Sequence, residues 1–86
     1  MHMFDLCPYE VQESLVNQAM AYDAQSIFEY IQDTDFEPEW VGLHSEGPYT
    51  KEERSMAIDA LITAFQFAHN VRISYWTRCD LIDYFC

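Results

Sequence analysis

Four carboxylates stand at alternate positions in Asp33-x-Asp35-x-Glu37-x-Glu39, with Phe36 and Trp40 set among them. In an extended backbone such residues fall on one side of the chain, about 6.6 Å apart at a rise of roughly 3.3 Å per residue. Two chemistries use carboxylates spaced this way. Calcium is the first, because alternating acids open an EF-hand loop. Counted from Asp33, however, the glycine turn position holds Pro38 and the closing bidentate glutamate position holds His44. The second is mimicry of a phosphate backbone. Regular carboxylates pair with the Lys and Arg of a nucleic-acid channel, and neighbouring aromatic rings fill the base-stacking positions. On this reading Glu29, Asp33, Asp35, Phe36, Glu37, Glu39 and Trp40 are the candidate partner-binding residues. A plain solvated acidic loop is the competing reading.

Other reactive residue types do not assemble into a catalytic pattern. His44-Ser45-Glu46 sets a base beside a hydroxyl, but no glycine-framed nucleophile turn accompanies it. No His-x-x-x-His or Cys-x-x-Cys supplies metal-ligand spacing, and no glycine-rich loop cradles phosphate. Cys7, Cys79 and Cys86 are odd in number and irregularly spaced, so reduced structural thiols are expected. A bridge from Cys7 to Cys79 or Cys86 is the alternative. No enzyme, metal or cofactor is expected.

Charge points to the kind of partner. Residues 1–50 hold ten acids and no Lys or Arg, whereas residues 51–86 hold five acids and four bases (Lys51, Arg54, Arg72, Arg78). The first half therefore cannot neutralise itself by internal ion pairs and projects a negative field. With a net charge of −11, direct contact with nucleic acid or an anionic membrane is disfavoured, and a basic protein surface is favoured. No apolar run is long enough to span a membrane, no secretory signal is visible, and a cytoplasmic location is expected.

These residues need a scaffold. The 86 residues make one domain, and 50% hydrophobic residues with 16% aromatic exceed what a disordered chain carries. Pro8 suits a first helical turn, after which Val11, Leu15, Ala19 and Tyr22 share one face. Ala24, Ile27, Phe28 and Ile31 form a second face behind Asp23, read as its N-cap. On one rod the two faces would point in opposite directions, so a break is expected near Tyr22–Asp23. An unbroken helix would instead bury its second face in a homodimer. Thr50-Lys-Glu-Glu53 is a capping box, opening a helix over 51–69 with Ala57, Ile58, Leu61, Ile62, Ala64, Phe65 and Ala68 inward and Asn70 as its stop. Thr77–Asp80 is read as opening a last helix, with Leu81, Ile82 and Phe85 inward. The expected fold is mostly α, a bundle of about four helices around the central helix 51–69. Two strands alone are marginal, so an all-helical bundle is expected first, with residues 40–44 and 71–76 pairing as a minor two-stranded element as the alternative.

In size, charge and lack of catalytic equipment the chain resembles the small acidic accessory proteins of phages and mobile elements, anti-CRISPR proteins and other DNA mimics among them. That resemblance implies an inhibitor that blocks the DNA or RNA site of a basic, nucleic-acid-binding protein, and it assigns no residue roles. A helical adaptor or assembly subunit, binding through an apolar face with charge serving solubility, is the alternative.

Overall fold

The computed structural model describes residues 3–34 and 48–86. They form five helices: α1 (Met3–Leu6), α2 (Tyr9–Met20), α3 (Ile27–Asp33), α4 (Lys51–His69) and α5 (Tyr75–Phe85). Helix α4 is the hub, with each of the other four packed against it. Its start and end are the ones its sequence dictates. The Thr50 hydroxyl accepts the Glu53 amide at 3.1 Å, and the Glu53 carboxylate accepts the Thr50 amide at 2.8 Å. Asn70 then ends the helix in the left-handed region at φ 51°, a conformation asparagine tolerates better than most residues.

Ala57, Ile58, Ala60, Leu61, Ile62, Ala64 and Phe65 are all buried, so nearly the whole girth of α4 is core. Leu15 and Ala19 of α2 and Tyr30 and Ile31 of α3 close over it. Full burial of a side chain such as Leu15 or Phe65 is worth roughly 1.5–3 kcal/mol. The chain turns between α2 and α3, and one core thereby receives Leu15 and Ala19 from α2 together with Ile27 and Ile31 from α3, which removes the geometric reason for a homodimer.

Tyr30 ties three helices together. Its hydroxyl donates to the Leu15 carbonyl at 3.0 Å in the buried interior, and its ring lies 5.7 Å from both Tyr22 and Phe65. His69 continues the stack at 4.5 Å from Phe65. Its Nε2 lies 2.8 Å from the Ala19 carbonyl. A carbonyl can only accept, so Nε2 carries the proton.

Three local expectations are corrected. Helix α3 is capped at Ser26, not Asp23, which leaves Ala24 exposed in the turn and Phe28 at the surface edge. Residues 71–76 are not a strand. Val71–Ser74 is irregular and α5 begins at Tyr75, because the Ser74 hydroxyl accepts the Thr77 amide at 3.2 Å. The last helix therefore starts two residues before Thr77. The companion strand expected over 40–44 lies outside the described residues. The chain also carries a short helix, α1, that no sequence pattern announced.

Helix α5 has no fully buried residue, and a polar seam fixes it to α4. Arg78 Nη1 donates to the Asp59 carboxylate, to the Asp59 carbonyl at 3.2 Å and to the Thr63 hydroxyl at 3.3 Å. Gln66 Oε1 accepts the Ile73 amide at 2.9 Å. Asp59, Thr63 and Gln66 thus form a polar line on α4 that receives its neighbour. Leu81, Ile82 and Phe85 complete the contact as half-buried side chains. The three cysteines are thiols outside any disulfide, with Cys7 buried. Burial, and then the nearby Asp5 charge, push the Cys7 thiol above its ordinary range.

Candidate binding surface

The first three helices set their acids outward. Asp5 on α1, Glu10 and Glu13 on α2, Asp23 in the following turn, and Glu29 and Asp33 on α3 are all exposed. The helical period explains α2: once Leu15 and Ala19 point to the core, Glu10, Glu13 and Asn17 fall on the far side. Glu29 and Asp33 are four residues apart and so share one side of α3. Asp33 closes that helix at the negative end of its dipole, where a carboxylate is disfavoured. The Tyr22 hydroxyl compensates by donating to it at 3.1 Å. Tyr22 is raised above the usual phenol range, first by desolvation, then by that hydrogen bond and by the charges of Asp33 and Glu29.

Of the predicted site residues, Glu29 and Asp33 thus stand together on an exposed helix side. Asp35, Phe36, Glu37, Glu39 and Trp40 lie outside the described residues, as do His44, Ser45 and Glu46. The bases are all in the second half. Lys51 and Arg54 open α4, Arg72 precedes α5, and Arg78 is held in the α4–α5 seam with Asp59.

A groove runs beside the acids of α2. Phe4, Tyr9, Gln12, Glu13, Val16 and Phe67 line it, with a volume of about 390 Å³. Phe67 stacks on Phe4 at a centroid distance of 5.4 Å. The Gln12 side-chain amide donates to the Phe4 carbonyl at 2.9 Å and holds α1 against α2. Tyr9 and Phe67 are nevertheless 75% and 65% exposed. Glu13 and Asn17 also belong to the adjoining depression, which Glu10, Ser14 and Gln18 complete. Apolar groove and carboxylate-bearing surface are therefore continuous. No sequence pattern announced the groove, because it joins residues more than fifty positions apart.

A second cavity, about 490 Å³, lies among α3, α4 and the end of α5, lined by Ile31, Tyr49, Arg54, Ile58, Leu61 and Phe85 among others. Phe28, Tyr84 and Phe85 form an aromatic cluster on α3 and α5, with Phe28 4.9 Å from Tyr84 and 5.0 Å from Phe85. Trp76 is 76% exposed and meets Tyr75 edge-on at 5.4 Å. Cys79 sits a turn beyond Tyr75, in the second turn of α5. The hydrogen bond with Cys79 is the main cause raising the Tyr75 phenol.

Among the described residues, no three His, Cys, Asp or Glu side chains gather as a metal site. No helix among these residues is long and apolar enough to cross a membrane. No protein-family model matches the chain, and no curated protein or solved structure shows a similarity to it.

Proposed function

We propose that this chain is a small acidic inhibitor. It binds the basic surface of a nucleic-acid-handling protein and occupies that protein's DNA or RNA site, in the manner of phage accessory proteins of the anti-CRISPR or DNA-mimic kind. One observation carries the reading. Six exposed carboxylates on α1–α3 and the turn after α2 belong to a half-chain with no Lys or Arg. Their negative potential is therefore offset by no cation on the same elements. A partner dense in Lys and Arg gains most from such a surface, and polyanions gain least. Asp35, Phe36, Glu37, Glu39 and Trp40 extend the same acidic run in sequence from Glu29 and Asp33. The place of action is cytoplasmic.

The test uses immobilised protein and nuclease-treated lysate, washed in parallel at low and high salt. Capture of a basic nucleic-acid-binding protein that is released at high salt, and that loses its DNA or RNA when the chain is added, is the expected result. Retention at high salt of a partner without a basic surface would contradict it, since apolar association holds or strengthens in salt. That outcome would favour the adaptor reading, for which the exposed rings of Tyr9 and Phe67 are the supporting observation.

A further inference from the structure

We propose that the groove of Phe4, Tyr9, Val16 and Phe67, with Glu10 and Glu13 along its edge, is the docking site for an arginine-rich segment of the partner that carries one large apolar side chain. The inference rests on the functional reading above and names where, and by what chemistry, the partner is held.

The apolar floor comes from three separate elements. Phe67 leaves α4 on its outer side, Phe4 stacks under it, and Tyr9 and Val16 supply the wall from α2. At about 390 Å³ the space is an open hollow with room for one large apolar side chain. Rings as exposed as Tyr9 and Phe67 gain by being covered.

Charge decides the occupant. Glu13 lines the groove itself, and Glu10 lines the depression that shares Glu13 with it. Among the described residues no Lys or Arg lines either one. Arg72 lies on the far side of Phe67, in a hollow that shares Phe67 with the groove and also contains Asp5. A second copy of this chain would set Glu10 and Glu13 against like charge, with −11 on each molecule. A cationic segment meets no such opposition. Arginine fits better than lysine, because Tyr9 and Glu13 stand one helical turn apart. A guanidinium stacked on the Tyr9 ring reaches the Glu13 carboxylate with its donor edge.

The test uses a fluorescein-labelled arginine–glycine peptide with one central leucine, titrated at low salt and followed by anisotropy and amide chemical-shift mapping. The leucine-to-alanine peptide and the all-lysine peptide serve as comparisons. Tyr9→Ser and Phe67→Ser are each expected to weaken binding about tenfold, the scale of a central anchor, while Trp76→Ser leaves it unchanged. Glu13→Gln is expected to flatten the salt dependence. Both comparison peptides should bind more weakly than the first. Thermal melts of the variants confirm folding, since both altered rings are largely exposed. Absence of peptide binding, unchanged affinity in both ring variants, shifts centred on α5, or a dimer that covers the groove would overturn the proposal. If the ring variants lose the peptide yet still displace nucleic acid from the captured partner, the groove assignment falls and the inhibitor reading stands. If the peptide binds in the groove but the chain never displaces nucleic acid, the groove stands and the inhibitor reading falls.

Discussion

Replacing Arg78 with methionine tests how α5 is held. The methionine keeps most of the apolar stem and removes the guanidinium. The structure then loses the ion pair to Asp59 and the two further bonds to the Asp59 carbonyl and the Thr63 hydroxyl. Breaking a fully buried pair costs about 3–5 kcal/mol. Here the two side chains keep 13% and 18% of their surface in water, and solvent lowers the expected cost to about 2–3 kcal/mol. For a domain of this size about 4–8 °C of melting temperature goes with each kcal/mol, so the variant should melt roughly 10–20 °C lower. Urea and thermal unfolding followed by circular dichroism give both numbers. A cycle with Asp59→Asn should show a coupling energy above about 1 kcal/mol, because the residues share one network. A loss below about 0.5 kcal/mol in R78M, or no coupling in the cycle, would refute the claim that a polar seam fixes α5.

Four further outcomes are expected. Thr50→Ala removes one half of the capping box and should cost about 1 kcal/mol in the same unfolding assay. Asn70→Gly should be neutral or slightly stabilising and Asn70→Ala destabilising by about 1 kcal/mol, because the residue sits at φ 51°. Tyr30 is raised above its ordinary value of 10.0, first by burial and then by its interaction with Tyr22. Its contribution is therefore complete below pH 10 and declines as the pH rises toward the folded-state value, while the unfolded chain ionises first. Tyr30→Phe should lose about 1 kcal/mol at neutral pH and show a shallower decline above pH 10 in pH-resolved denaturation. Cys7, raised from 9.0 mainly by burial, should alkylate more slowly than Cys79 and Cys86 at mildly alkaline pH and lose that protection in denaturant.

The elements that local chemistry determines alone were legible in the sequence. The Thr50–Glu53 box and Asn70 delimit α4 because each acts within one turn of chain. The opposed faces of residues 11–22 and 24–31 required the turn between α2 and α3. What escaped was decided by competition or by distance. The alternation over 71–76 suits a strand, yet Ser74 offers a cap to the Thr77 amide and the helix takes Tyr75 and Trp76. Helix α3 begins after Ser26, and not at Asp23, because the chain first makes a turn in which the Ser26 amide donates to the Asp23 carbonyl at 2.9 Å. The α4–α5 seam depends on Arg78 meeting residues fifteen and nineteen positions away, which no periodicity encodes. On the candidate surface, Glu29 and Asp33 were named from sequence and stand exposed on α3. The groove was invisible, because Phe4, Tyr9 and Phe67 meet only after α1, α2 and α4 have packed.

The central claim is that the acidic surface displaces nucleic acid from a basic protein. It is tested most directly by adding the chain to the captured partner bound to its labelled DNA or RNA, at salt concentrations from roughly 50 to 200 mM. The expected result is release of the nucleic acid at near-equimolar chain, with an affinity for the partner that falls steeply as salt rises. Nucleic acid that stays bound beside the chain, or an affinity indifferent to salt, would contradict it.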